Sequence, residues 1–222
     1  MKKQVMNFLS MALMALVLFS CGGGSGKKGS GGKSLFTPVS SGHPYEMLVV
    51  IDKDMWERPA GRALFNALDM DVPGLPQPER SFRISQIIPD KFERGFRIFR
   101  NIIDVDIQPI YTQPKLKYSR DSYASPQMIM TIQAPDEASF EEFVNQNKQV
   151  IVDFFTKAEM NRQINLLKEK YSDVVATKVG SMFGCDVLIP ADMERYKEGE
   201  NFLWASNDRN TSDVSMNFVI YS

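Results

Sequence analysis

Hydrophobic and polar residues follow two different spacings along the chain, and each spacing predicts its own kind of element. Short apolar or alternating runs predict β-strands over 45–52, 82–88, 101–111, 127–133, 185–189, 201–205 and 213–221. Apolar residues three and four apart predict a helix from Pro59 to about Met70 and a long helix over 136–170, with a short helix over 89–99. The mixture predicts an α+β fold with antiparallel or mixed sheets and packed helices.

The long helical segment carries the clearest periodicity. A first apolar stripe predicts one buried face, made of Phe140, Phe143, Asn147, Val150, Phe154 and Ala158. A second stripe that includes Ile164 and Leu167 is out of phase with the first, which predicts a bend near Glu159.

A short motif recurs in the two halves of the chain. IPDKFER (88–94) and IPADMER (189–195) share Ile, Pro, Glu and Arg in register at a spacing of 101 residues. Each copy is predicted as a strand, a proline-initiated turn of helix and another strand, which favours two similar ferredoxin-like modules over 43–134 and 135–222. Chance similarity is the alternative, because proline is common at the first position of a helix. The last predicted strand ends without a turn, so we expect the second module to be incomplete at its C-terminus.

The amino-terminal residues have the three parts of a secretory signal. Lys2 and Lys3 precede a mainly apolar stretch over 5–19, and the small Ser20 stands before Cys21. A membrane span needs roughly 20 apolar residues. The stretch is shorter than that, so we expect a signal peptide over 1–20 rather than an uncleaved membrane anchor.

The residues around Cys21 indicate how the protein is held. Leu18, Phe19, Ser20 and Cys21 resemble the end of a bacterial lipoprotein signal, in which the cysteine becomes acylated. Each buried acyl methylene contributes about 0.8 kcal/mol, so several chains on Cys21 would anchor the protein to a membrane. Residues 22–34 contain only Gly, Ser and Lys and predict a flexible tether with a reach of about 20 Å, within a linker over 21–42. Glycines rather than acidic residues follow the cysteine, which favours the periplasmic face of the outer membrane over the cell surface.

The charge distribution along the chain argues against one class of partner. Five lysines and no acidic residue lie in 1–34, and without them 21 basic side chains face 27 acidic ones, a net charge of −6. A body of that charge without a basic stripe argues against nucleic acid as a partner. Once Cys21 is acylated, Cys185 is left without a disulfide partner, and its apolar run predicts a buried, inert thiol.

No pattern specifies a cofactor or a metal site. His43 is the only histidine and reads as a loop residue, so neither a zinc pair nor a histidine-dependent triad is predicted. The pattern G-x-G-x-x-G over 24–29 follows no predicted strand and opens no predicted helix, so it predicts no dinucleotide site. Asp104 and Asp106 share one face of a strand and leave open a carboxylate-dependent hydrolase that acts on cell-wall or glycan material.

A proline-rich loop, DVPGLPQPE over 71–79, is the candidate binding element, because its stiffness lowers the entropy cost of binding. The structural alternative is a rigid crossover held by an ion pair between Glu79 and Arg97 or Arg100. Trp56 and Trp204 could offer stacking surfaces to a sugar, although core burial is favoured for Trp204. The candidate binding residues are Pro76, Gln77, Pro78, Glu79, Arg97 and Arg100.

PYEMLVVID, the PGLPQPE loop followed by Phe82, and the strand start RNII at 100–103 are similar to the domain-of-unknown-function 4837 lipoproteins of Bacteroidetes-type bacteria. The resemblance implies a lipid-anchored envelope protein and brings neither an activity nor catalytic residues. We therefore expect a non-enzymatic binding or structural component, with an envelope protein or a glycan as its partner. A hydrolase is the alternative.

Overall fold

A computed structural model describes residues 37–207 and 215–222. The predicted signal peptide over 1–20, Cys21 and most of the predicted linker lie outside the described residues. A search of the described residues for a helix of sufficient length and hydropathy to cross a membrane found none.

The first part of the fold is a five-stranded mixed sheet in the order β2-β1-β3-β5-β4. Strand β1 pairs in parallel with both β2 and β3, and β3 pairs in parallel with β5. Strand β4 lies antiparallel at the edge beside β5. The strand bounds are β1 Glu46–Val50, β2 Arg83–Ile87, β3 Asn101–Ile107, β4 Lys115–Arg120 and β5 Met128–Ala134.

Helices connect these strands and cover one face of the sheet. Asp52 caps the first helix by accepting hydrogen bonds from two backbone N–H groups. Asp136 caps the longest helix by accepting hydrogen bonds from the backbone N–H and the hydroxyl of Ser139. A 3₁₀ turn over Pro89–Lys91 lies between β2 and β3. The helix bounds are α1 Lys53–Glu57, α2 Pro59–Leu68, α3 Arg94–Arg97 and α4 Glu137–Glu169.

The main hydrophobic core lies between the sheet and helices α2 and α4. Every second residue of the central strands enters it, as alternation in a half-covered strand requires. The opposite sheet face has a smaller cluster, formed by Leu48, Val50, Ile87, Ile102 and Ile129 with Phe92 and Phe99 against it. The main core includes Met47, Val49, Ile103, Met130, Ile132, Leu64, Leu68, Phe140 and Phe155.

Helix α4 is confirmed, but its buried face differs from the predicted one. The backbone of Asn147 leaves helical geometry (φ −113°, ψ 16°), and its side chain donates to the Phe143 carbonyl at 2.8 Å. The kink therefore lies at Asn147 rather than near Glu159, and it shifts the phase of the residues that follow. Val150, predicted to be buried, is 50% exposed, whereas Ile151 and Phe155 are fully buried.

The second part of the fold has its own core. Helix α5 (Asp173–Phe183) lies beside an antiparallel sheet in the order β6-β7-β8, with strands Arg195–Glu198, Phe202–Ser206 and Asn217–Tyr221. The predicted strand over 185–189 is not a strand, although Ile189 is buried. The core contains Val175, Val179, Ile189, Met193, Leu203 and Ala205.

The α+β class is confirmed, but the predicted ferredoxin-like connectivity of two similar modules is not observed. Parallel neighbours need crossover connections, and the first sheet joins β1, β2, β3 and β5 in parallel, whereas the second sheet is an antiparallel meander. The first copy of the repeat contains the 3₁₀ turn, and the second leads into β6 without a helix. Helix α4, which the predicted boundary at 134–135 assigned to the second module, packs in the core of the first sheet.

Candidate functional site

A buried ionic network lies beneath helix α4 at the amino-terminal end of β3. Glu159 is fully buried, and its Oε2 accepts a hydrogen bond from Arg100 Nη2 at 2.7 Å. Its Oε1 accepts from Arg162 Nη1 at 2.7 Å and from Asn101 Nδ2 at 2.6 Å. Three charge-assisted hydrogen bonds thus offset the cost of removing the Glu159 side chain from water.

Asn101 and Arg162 tie this network to the sheet. Arg162 Nη1 donates to Asn101 Oδ1 at 2.8 Å, and its Nη2 donates to the Arg100 carbonyl at 3.0 Å. Asn101 Nδ2 also donates to the carbonyl of Glu46 on β1 at 2.9 Å. The network therefore connects α4 with two adjacent strands.

The network holds more positive than negative charge. Two guanidinium groups, those of Arg100 and Arg162, share one carboxylate, so the three side chains carry a net charge of +1. Burial lowers the pKa of Arg162, and the charge of Glu159 opposes that shift. Arg100 Nε is buried and has no hydrogen-bond partner among the described residues.

The spacing along α4 explains why charged residues reach the interior. Ile151, Phe155, Glu159 and Arg162 follow one another at steps of three and four residues, so they lie on one face of the helix. The buried stripe simply continues from apolar onto charged residues. The shared phase of Glu159 and Arg162 with Ile151 and Phe155 was the available signal, but the predicted stripe ran through Val150, Phe154 and Ala158 and therefore missed it.

A cavity of about 310 Å³ opens beside Arg162, between α4, β4 and the start of β5. We call it the basic cavity. Its walls include Pro126, Met128, Phe154 and Ala158, and none of the described residues that line it is acidic. Its polar lining residues are Arg120, Gln127, Lys157, Asn161, Arg162 and Asn165.

The cations at the mouth of the basic cavity have only weak partners. Arg120 Nε lies 3.5 Å from Asp121 Oδ2, and Lys157 Nζ lies 3.9 Å from Asp153 Oδ2. Both cationic side chains are about three-quarters exposed (75% and 74%). Ion pairs of this kind contribute little to stability, so both side chains can turn toward a ligand at small cost.

A second polar group, the acidic cluster, lies toward the other end of β3 and consists of Asp104, Asp106, Tyr111 and Gln133. Asp106 Oδ2 accepts from the Tyr111 hydroxyl and from Gln133 Nε2, the latter at 2.7 Å. Burial alone would raise the pKa of Asp106, but the hydrogen bonds from Tyr111, Gln133 and Gln108 outweigh it and lower the pKa. Burial, with a contribution from Asp106, raises the pKa of Asp104. The two neighbouring carboxyl groups therefore have opposite shifts.

A larger cavity of about 830 Å³, which we call the aromatic cavity, lies next to the proline-rich loop. Tyr45, Phe65 and Phe82 form its aromatic walls. Its charged lining is mixed, and Arg80 Nε lies 3.2 Å from Asp69 Oδ1. The polar and charged side chains around it are His43, Asp69, Glu79, Arg80, Ser81 and Arg83.

The structure distributes the candidate binding residues over separate places. Glu79 lines the aromatic cavity, while Arg100 pairs with Glu159 and Arg97 Nε donates to the Phe92 carbonyl at 3.1 Å. The predicted ion pair of Glu79 with Arg97 or Arg100 is therefore not observed. Residues 76–78 are exposed and line neither cavity. Backbone pairing closes the loop instead, because Val72 N donates to the Glu79 carbonyl at 2.8 Å.

Four further residues singled out in the sequence also have defined places. Trp56 packs edge-on against Phe65 with ring centroids 5.8 Å apart, and Trp204 Nε1 donates to Asn217 Oδ1 at 3.0 Å. Cys185, predicted to be buried, is exposed, because its segment does not form the predicted strand. His43 lines the aromatic cavity. The part of the chain described by the structure holds no group of three metal-ligating side chains.

The fold and the two polar sites define an α+β protein with separate N-terminal and C-terminal cores. The chain belongs to the family described as Domain of unknown function (DUF8532), whose model matches residues 40–168. Residues 172–222 match the model of Domain of unknown function (DUF4837), which confirms the resemblance found in the sequence. The two matches meet where α4 ends and the second core begins. Neither a curated protein nor a solved structure matches the chain significantly.

Proposed function

We propose that this chain is a lipid-anchored protein of the cell envelope, held by an acylated Cys21, whose folded part binds another envelope component. The observation that carries the proposal is the order of features over 1–34: two lysines, an apolar stretch, one cysteine and a tether of Gly, Ser and Lys. A short apolar stretch of this kind is typical of an export signal, and acyl chains supply the membrane affinity that the tether lacks. The glycines after Cys21 favour the periplasmic face of the outer membrane.

The basic cavity supports a binding role for the folded part. The polar groups that meet there are cations and amides, which hold and orient a ligand. Its described lining residues include neither a serine or cysteine nucleophile nor a carboxylate or histidine base, which are the groups that most hydrolases use. Binding is therefore the chemistry that this cavity favours.

Metabolic labelling tests the anchor. Radiolabelled palmitate should enter the full-length protein in its native host and should not enter Cys21→Ala. Cys185→Ala is the matched control, because Cys185 is the other cysteine and its thiol is exposed. Equal labelling of wild type and Cys21→Ala, or loss of labelling in Cys185→Ala alone, would contradict the anchor.

A carboxylate-dependent hydrolase is the second candidate, and the opposite pKa shifts of Asp104 and Asp106 favour it. Alternate residues of a strand lie about 7 Å apart, a separation within the range that glycoside hydrolases use. Purified protein should nevertheless leave cell-wall glycans intact. Glycan cleavage that disappears in both Asp104→Asn and Asp106→Asn, but persists in Asp54→Asn, would establish the hydrolase instead.

A further inference from the structure

We propose that the basic cavity is a binding site for a phosphate or phosphoester group. This inference rests on the proposed binding role of the folded part and is independent of the lipid anchor. Three cationic side chains, Arg120, Lys157 and Arg162, line the cavity, and they come from two different elements, β4 and α4. A ligand between them would be contacted from two sides.

The positive charge of Arg162 at the inner end of the cavity favours an anionic ligand. Arg162 is 8% exposed, and the carboxylate that accepts its hydrogen bond, Glu159, also pairs with Arg100. Asp121 contributes a further electrostatic attraction to Arg162. Buried charge is costly unless it is paired, and within the hydrogen-bonded set of Arg100, Arg162 and Glu159 one positive charge remains in excess. A bound anion would complete the pairing without a change in the network that holds Arg162.

Arg162 also has hydrogen-bonding capacity left for a ligand. It donates three hydrogen bonds, to Glu159, Asn101 and the Arg100 carbonyl. A guanidinium has five N–H groups, so two remain. Because the network fixes the guanidinium plane, these two donors are oriented before a ligand arrives, which lowers the cost of binding.

The remaining donors favour phosphate over carboxylate. Lys157, Asn161 and Asn165 stand four residues apart on α4, so they form a row along one face of the helix. Together with Arg162 and Arg120 they can donate to three oxygens in different directions, as a tetrahedral phosphate offers. A carboxylate has two oxygens in one plane and would leave part of this set unused.

The size of the cavity restricts the rest of the ligand. A volume of about 310 Å³ lies at the lower end of the range for small-molecule sites, so a phosphate and a small attached group fill it. Phe154, which stacks on Tyr118 with ring centroids 4.6 Å apart, offers an apolar wall to that group. A free phosphate ion and the phosphomonoester headgroup of a lipid share the chemistry that the cavity recognises.

Calorimetry on the full chain, purified in mild detergent, tests the assignment with inorganic phosphate as the probe and acetate as the competitor. Wild type should bind phosphate and prefer it to acetate. Lys157→Gln should weaken phosphate binding about tenfold, because it removes one charge-assisted hydrogen bond. Lys168→Gln is the matched control: it removes the same charge from an exposed position on the same helix and should leave phosphate affinity within twofold of wild type.

A second probe, water-soluble dibutanoyl phosphatidic acid, distinguishes the two sources of the phosphate group. Tighter binding of this probe than of inorganic phosphate, lost in Lys157→Gln, would support the site with a lipid headgroup as its ligand. Tighter binding of inorganic phosphate, with the same dependence on Lys157, would support it with a free ion. Absence of binding by both probes, preference for acetate, or equal loss in Lys157→Gln and Lys168→Gln would overturn the inference. Palmitate labelling of Cys21 would be unaffected by any of these results, so the two proposals can fail separately.

Discussion

The two ends of strand β3 place charged residues in contrasting surroundings. At the amino-terminal end, Asn101 lies under helix α4, and with Arg100, Glu159 and Arg162 it forms a buried network of hydrogen bonds. Toward the carboxyl-terminal end, Asp104 and Asp106 point to the opposite sheet face, where only a small apolar cluster packs. A single strand therefore carries a buried network with excess positive charge and a partly hydrated acidic cluster.

The difference between the two ends shows that charged residues covered by a helix need protein hydrogen-bond partners, whereas partly exposed ones do not. Beneath α4 the Glu159 side chain is fully buried, so its charge must find protein partners or remain unpaired at high cost. On the less covered face, Asp106 gains three hydrogen bonds, whereas Asp104 mainly loses solvation. The excess positive charge at the amino-terminal end therefore results from the way α4 packs on the sheet. The opposite pKa shifts of Asp104 and Asp106 result from their unequal numbers of hydrogen bonds.

The largest effect is expected from Glu159→Gln. The substitution keeps the shape of the side chain but leaves two guanidinium groups without a carboxylate, which should destabilise the fold by about 3–5 kcal/mol. Urea unfolding followed by circular dichroism measures the change. Glu169→Gln, an exposed change at the end of the same helix, should shift stability by less than about 0.5 kcal/mol. Equal small effects of both substitutions would show that the network does not carry the packing of α4.

Smaller effects of opposite sign are expected from the acidic cluster. The lowered pKa of Asp106 adds stability above the pKa of the unfolded chain, and this is lost as pH falls through the folded-state pKa. The raised pKa of Asp104 acts in the other direction, so its stability contribution is present in acid and is lost as pH rises. At neutral pH, Asp106→Asn should destabilise and Asp104→Asn should stabilise, each by less than about 1 kcal/mol.

Unfolding of both variants between pH 3 and pH 7 provides the measurement. The two differences from wild type should shrink toward acid, because Asp104 is then protonated and the unfolded chain protonates before folded Asp106 does, which removes part of the stabilisation from Asp106. If Asp104→Asn destabilises the protein at pH 7 as much as Asp106→Asn does, the proposed asymmetry of the acidic cluster is wrong.

The smallest effect is expected from an exposed ion pair between Arg58, the N-cap residue of α2, and Glu137 in the first turn of α4. Arg58 Nε donates to Glu137 Oε2 at 2.9 Å, and the two side chains are 48% and 40% exposed. Arg58→Gln should lower stability only slightly in the same urea assay, far less than Glu159→Gln does, and added salt should reduce the difference. This pair joins the same two chemical groups as Arg162 and Glu159 but is exposed. If Arg58→Gln lowered stability as much as Glu159→Gln, burial would not be the reason for the difference expected between the two pairs.

Local patterns were enough to predict most elements. Strands β1, β2, β3 and β5 follow from alternation and β-branched residues, and α4 follows from its spacing and its Asp136 cap. Strand β4 was missed because it is an edge strand whose sequence, KLKYSR, is mostly polar and exposed. The run at 185–189 was predicted as a strand because it is apolar. In the structure it is irregular, and it contributes only Ile189 to the buried residues of the second core.

The candidate site could not be predicted because its partners are far apart in the chain. Glu159 meets Arg100 and Asn101 across nearly 60 positions (59 and 58), and no local spacing encodes that encounter. The kink at Asn147 also decides which face of α4 turns inward, and hence that Glu159 is buried at all. The sequence also predicted an ion pair between Glu79 and Arg97 or Arg100. That pair depends on where the proline-rich loop lies, and the loop is instead closed by backbone pairing of Val72 with Glu79, while Arg100 pairs with Glu159.

The most direct test of the basic cavity is an NMR titration of the full chain in detergent with inorganic phosphate, observing the Nε–H signal of Arg162 and the side-chain amides of Asn161 and Asn165. We predict that these three signals shift together and saturate at one common phosphate concentration. Unchanged signals at that concentration, or shifts confined to lysines away from the cavity, would contradict it.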